Sequence, residues 1–253
     1  MNIAFSSFRA IAATLLAFAG LLNDSCADTM PPTPQFFASG PQAALEIAIR
    51  ADDISRMTDA IAHGASANAS GKFNVTPLMI AIDAQSPRAV QALLKAGALP
   101  NARAQDGNGP VSLAVKSCRA KPNGRDILLA VFAGGGDPNT RQPDGDPVIM
   151  RFILDHDPAG LKLMKSLGAD LDIRDRGGDP LITNVAMSQD WHMVWTLIEL
   201  GAEADYEGEK STQPLSKALR LGVPSPDSPL YPYKRKVWQF LKDKGVAVSP
   251  MVP

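Results

Sequence analysis

The chain has 253 residues, of which 45% are hydrophobic and only 6% aromatic, and its formal net charge is −1. That apolar content is enough to bury a core. The balanced charge excludes a basic nucleic-acid binder and an acidic solvated tail, and the low aromatic content argues against an aromatic-rich sandwich.

Residues 1–27 read as a secretory signal peptide. Arg9 supplies a positive start, and Ile11 to Leu22 is an apolar run too short to span a membrane. Ser25-Cys26-Ala27 then places small residues before a cleavage point at Asp28. The rival reading is a lipoprotein acylated at Cys26, but Asn23 occupies the position where a lipobox wants an apolar residue. The expected address is therefore periplasmic, with cleavage after Ala27. Removal of this segment leaves Cys118 as the sole thiol, so stability has to come from packing rather than disulfides. Residues 28–40 form a Pro-rich leader, lying across the first repeat or loose in solvent.

The remainder, 41–253, repeats itself. Glycines 64, 97, 135, 168, 201 and 245 recur at gaps of 33, 38, 33, 33 and 44 residues, a stacked helical array with two insertions. Seven residues before each glycine stand Met57, Val90, Leu128, Leu161, Val194 and Trp238. Four before it stand Ala60, Leu93, Val131, Met164, Leu197 and Leu241, an i, i+3 apolar face turned to a core. The glycine is expected to end each helix in the left-handed C′ conformation. Eleven before it, Asp53, Ser86, Gly124, Asp157 and Asp190 are the expected N-caps. Four after it, Asn68, Asn101, Asn139, Asp172, Asp205 and Ser249 are expected to turn the chain.

Each first helix is expected to open at a proline: Pro77, Pro110, Pro147, Pro180 and Pro214. Four residues on come Ala81, Ala114 and Ala218, with Ala48 equivalent in the first unit, whereas Arg151 and Asn184 take that place in units four and five. Either a one-residue register shift leaves those two at a helix edge in water, or they form a polar pair on the inner face. The units run at about 41–70, 71–103, 104–141, 142–174, 175–207 and 208–253.

This pattern resembles the ankyrin repeat family, best at Thr76-Pro77-Leu78, Ala81, Leu93-Leu94, Gly97-Ala98 and Pro100-Asn101. The resemblance implies an all-α solenoid of about six helix-turn-helix units with short hairpin-like tips. It also implies a concave face, built of tips and inner helices, that binds another protein. The family's histidine after Thr-Pro-Leu is replaced by Met79, Ser112, Ile149, Ile182 and Ser216, so hydrogen bonding between adjacent tips is expected to be weaker or satisfied differently.

Candidate partner-binding residues follow. On the tips and inner helices they are Lys72, Phe73, Gln105, Asp106, Asn108, Asp144, Arg151, Arg176 and Asn184; on the second helix of unit five, Trp195. The insertion at 222–236 adds Tyr231, Tyr233, Lys234 and Arg235, read either as a recognition loop or as packing beside Trp238. No catalytic or metal constellation stands out: the three histidines fall in different units, Gly134-Gly135-Gly136 follows a helix instead of opening one, and no zinc spacing is present. No cofactor is implied. The chain reads as a non-enzymatic, exported binding module, and exported ankyrin proteins of this build include immunity proteins that neutralise type VI secretion toxins, phospholipases among them. The alternative is an envelope scaffold or stress-protection factor supporting a resident enzyme.

Overall fold

A computed structural model describes residues 36–204, 214–221 and 225–250. Gln35–Pro253 forms one compact unit. The signal-peptide reading, Asp205 and the start of the second insertion lie outside the described residues. Among the described residues the chain forms twelve α-helices in six pairs: α1 (Gly40–Arg50) and α2 (Ile54–Ala62); α3 (Pro77–Asp83) and α4 (Pro87–Lys95); α5 (Pro110–Ala120) and α6 (Gly124–Ala133). The series continues with α7 (Met150–Leu154) and α8 (Pro158–Ser166), α9 (Leu181–Met187) and α10 (Trp191–Glu199), α11 (Leu215–Ala218) and α12 (Tyr231–Asp243). First helices pack on first helices, as α1 on α3 and α3 on α5, and second helices on second helices, as α4 on α6 and α10 on α12.

The two apolar positions before each glycine build the core between layers, except that in the last unit Trp238 is half-buried and its neighbour Val237 takes the core place. Met57, Val90, Leu93, Leu128, Val131, Leu161, Met164, Val194, Leu197 and Leu241 are all essentially inaccessible. All six glycines have positive φ, between 80° and 99°. In each case the residue after the glycine returns its amide to the carbonyl of the last buried position, as Ala98 N to Leu93 O at 2.9 Å. Side chains of Asp53, Ser86, Asp157 and Asp190 cap their helices by accepting from Arg56, Ala89, Gly160 and Met193 amides. Each such cap contributes about 1 kcal/mol.

The fifth expected cap is corrected. Gly124 is the first residue of α6, and Asn123 is its N-cap, whose side chain caps no amide and donates to Gln85 O at 2.9 Å. Gly124 is needed because a Cβ there would run into the Ser117 carbonyl of α5.

The proline positions also diverge. Pro77 and Pro110 open α3 and α5 as expected, but Pro180 and Pro214 are N-caps, with ψ of 142° and 154°. α7 starts only at Met150, after tight i→i−3 bonds from Met150 N to Pro147 O (3.0 Å) and Phe152 N to Ile149 O (3.1 Å). Units four and five carry one extra residue between proline and glycine. Register is held from the glycine end, where the core residues sit, and the slack is taken up before the helix. Counted from the glycine, the alanine position is filled by Phe152 and Val185, both buried, and Arg151 and Asn184 fall one residue earlier.

Adjacent units are stitched by side chains as well as packing. Asn68 donates to Gly97 O (2.8 Å) and accepts from Leu99 N (2.8 Å), and Asn101 does the same with Gly135 O (3.0 Å) and Asp137 N (2.9 Å). Asn139 accepts from Asp170 N, and Asp172 from Glu203 N. These residues hold the neighbouring unit's helix exit as well as turning their own chain.

At the array's start, Phe37 joins the core and Glu46 of α1 is buried. The Glu46 carboxylate accepts the Phe36 and Phe37 amides at 2.9 and 3.1 Å and pairs with Arg50 at 3.1 Å. The last residues of the Pro-rich leader therefore lie on the first repeat.

Candidate functional site

Between units the chain projects a series of short hairpins. Gly107, Gly145 and Gly178 take φ of 80°, 91° and 88° at their tips, a conformation that a side chain would oppose. Main-chain bonds close the hairpins from Ala104 N to Asn108 O, Gln142 N to Asp146 O and Asp175 N to Asp179 O. The guanidinium at each base locks its own tip: Arg103 to Gly107 O (3.0 Å), Arg141 to Gly145 O (2.8 Å) and Arg174 to Gly178 O. The first hairpin has no such arginine and instead places Phe73 and Asn74 at φ of 59° and 57°.

The tips are also tied to one another. Gln105 N donates to Phe73 O at 2.8 Å, and Arg176 N to the Asp146 carboxylate at 2.9 Å. Hydrogen bonding between tips thus runs through main-chain carbonyls and an aspartate, in a chain whose hairpins lack the family's histidine.

This framework brings most of the tip candidates into one row. Phe73 is 67% exposed at the first tip, beside exposed Lys72, and Gln105 and Asp106 are exposed on the next. Asp106 accepts from the Asn108 side chain (2.8 Å) and amide (2.9 Å), bonds that hold its carboxyl below the usual carboxylate range. Asp144 accepts from Asp146 N on the third tip, and Arg176 stands exposed on the fourth.

The inner-helix pair closes back on the hairpins. Arg151 Nε donates to Gln142 Oε1 at 2.8 Å, and Asn184 Nδ2 to Asp175 Oδ2 at 2.5 Å. In each unit the two partners are nine residues apart, so the shared register of units four and five makes the same helix-to-hairpin clasp twice. Asn108, Asp144 and Arg151 meet in a cavity of about 550 Å³ between α5 and α7, lined also by Ser112, Val115, Lys116, Arg119 and Gln142. Lys116 and Arg119 were not among the sequence candidates. Their signal was an i, i+3 pair of cations beside the small-residue stripe of α5.

The C-terminal candidates do not join this group. They belong to α10 and α12, the second helices. Tyr231 to Lys236 is helical, not a recognition loop, with Pro232 in the opening turn where proline costs nothing. Lys234 is corrected most sharply: it is fully buried. Its Nζ donates to Leu221 O at 3.2 Å and lies 4.7 Å from the Trp191 ring centre, and burial pushes its pKa below the usual lysine range.

Tyr233 is half-buried with its ring 4.4 Å from that of His192. Trp195 is half-buried rather than exposed: it meets Phe240 edge-on at 6.5 Å, donates to Glu199 at 2.6 Å and lies under Lys236. Tyr231 is half-buried, and Arg235 alone of the C-terminal candidates is exposed. Cys118 is half-buried, and burial raises its thiol pKa. Among the described residues no group of His, Cys, Asp and Glu is arranged to hold a metal ion, and no helix is long and apolar enough to cross a membrane.

Comparison with known proteins accords with this architecture. Residues 61–114 match the family model described as ankyrin repeats (many copies). Over 114 residues, 44% of this chain, the sequence is 32% identical to the E3 ubiquitin-protein ligase KEG of Arabidopsis thaliana; the match spans only 7% of that ligase. Among solved structures, an ankyrin repeat domain from Acinetobacter baumannii AYE superposes with a TM-score of 0.59 at 16% identity, covering 79% of this chain and 97% of that one. Residues 61–114 thus match ankyrin repeats by sequence, and the array has the ankyrin-repeat fold.

Proposed function

We propose that this protein is a non-enzymatic, exported binding module that acts as an immunity protein. It holds and neutralises a secreted antibacterial toxin, such as a phospholipase delivered by type VI secretion, in the periplasm. Ankyrin repeats serve as protein–protein interaction modules, and the observation that carries the reading is the row of tied hairpin tips. It presents Phe73, Lys72, Gln105, Asp106 and Arg176 to solvent from a backbone already fixed by internal hydrogen bonds. A surface ordered before binding loses little conformational freedom when a partner docks, and aromatic and arginine side chains in such a setting are the usual energetic anchors. The export address rests on Arg9, the apolar run to Leu22 and the small residues before Asp28.

The test is capture by tagged residues 28–253 from lysate of the source cells, read by mass spectrometry. One stoichiometric secreted lipase-like protein, whose membrane damage the array suppresses, supports the immunity reading. A scatter of envelope proteins held weakly supports a scaffold for a resident enzyme instead.

A further inference from the structure

The cavity between α5 and α7 carries more positive charge than its own framework neutralises. Lys116 and Arg119 lie three residues apart on α5 and so share one edge of that helix, and Arg151 faces them from α7. Asp155, just past α7, pairs with Arg119. The acid in the lining itself is Asp144, which shares it with the cations Lys116, Arg119 and Arg151. The cavity floor is apolar, from buried Val115 and Val148.

Arg151 is prepared for a ligand. Its Nε is committed to Gln142 Oε1 at 2.8 Å, which fixes the plane of the guanidinium and leaves its two terminal nitrogens as a fork matched to a carboxylate. Lys116 adds an exposed point charge to the same lining. The recess runs along α5 from Ser112 to Ala120 and is closed on its other side by the hairpin residues Gln142, Pro143 and Asp144.

We propose that this recess seats a carboxylate-bearing segment of the protein partner, an Asp or Glu side chain held by the Arg151 fork and Lys116 with its apolar stem on Val115 and Val148. The inference rests on the protein-binding reading above. A cleft overhung by Gln142, Pro143 and Asp144 of a hairpin admits a protruding loop and not a flat lipid surface.

The direct test uses fluorescence anisotropy with residues 28–253 and two fluorescein-labelled probes, a Gly/Ser-rich peptide carrying three glutamates and its glutamine counterpart. The glutamate peptide should bind about tenfold tighter at low salt, as expected for two partly shielded charge pairs, and lose that advantage as salt is added. Lys116→Gln with Arg151→Gln should abolish the preference, and Asp144→Asn should increase it. Equal binding of the two peptides, or a preference unchanged in the double variant, overturns the inference; so does displacement by inorganic phosphate at equimolar concentration, which marks a free-anion site. A natural partner captured equally by wild type and double variant also overturns it while leaving the binding reading intact. Failure of the wild type to capture any partner sinks the binding reading instead, and the peptide preference still decides the recess.

Discussion

Phe152 of α7 and Gly160 of α8 exchange volume: the first fills a place held by Ala48, Ala81 and Ala114 in earlier units, and the second gives up its side chain to admit the ring. A Cβ at Gly160 would collide with the Phe152 ring. Gly160→Ala should therefore cost about 1–3 kcal/mol by overpacking, and Phe152→Ala about 3–5 kcal/mol by leaving a cavity. The double variant, with alanine at both places, should be no less stable than Phe152→Ala alone in urea unfolding. Simple additivity of the two losses would show that the residues do not share the space.

The asparagine stitches predict a graded effect. Asn101→Ala removes both the donor to Gly135 O and the acceptor for Asp137 N, and should lower stability by about 1–2 kcal/mol. Asn101→Asp keeps the acceptor, as Asp172 does naturally toward Glu203, and should recover about half of that loss. Chemical denaturation of the three proteins side by side checks the order; equal stability of all three would remove these bonds from the array's cohesion.

Lys234 predicts a pH dependence with a definite sign. Its folded-state pKa lies below the ordinary lysine value of 10.5, so between those two values the unfolded chain binds more protons than the folded one. Stability contributed at this site is reduced at neutral pH and rises as pH climbs through the folded value toward 10.5. Wild type should gain on Lys234→Met as pH is raised from neutrality to about 10. Thermal melts at several pH values test this, and a stability difference independent of pH would mean that Lys234 is solvated.

Phe73 separates binding from folding. Its φ of 59° strains a non-glycine residue, while the residue is 67% exposed. Phe73→Gly should raise stability by up to about 1 kcal/mol, relieving backbone strain without losing core contacts. Phe73→Ala should leave stability nearly unchanged, and both should weaken capture of the partner. Retained capture in both would take Phe73 out of the interface.

The helical array was legible because the chemistry at its helix exits is narrow. Few side chains accept positive φ, so the glycines mark phase, and the apolar pairs four and seven residues before them had to face inward. Where several solutions exist, the sequence misled. Counting from the prolines put Arg151 at an alanine position that Phe152 occupies, because the spare residue is absorbed before α7 and not within it. Lys234 looked like a loop cation since prolines crowd the stretch before it, yet the helix begins at Tyr231 and turns that ammonium onto Trp191. The tip candidates were legible as exposed turn residues, whereas the placing of Lys116 and Arg151 in one recess is a relation between units that no local pattern encodes.

The bonds from the Phe36 and Phe37 amides to Glu46 also set a boundary on how far the chain can be shortened. A truncation can advance to about Phe36 and leave a sealed first repeat. A product beginning at Gly40 would keep a buried carboxylate without those two donors and uncover the apolar patch that Phe37 occupies, a defect worth about 1–3 kcal/mol from the lost donors alone. A side chain on the first helix thus limits how much of the segment before it can be removed, and any affinity tag or fusion joined there has to enter upstream of Phe36.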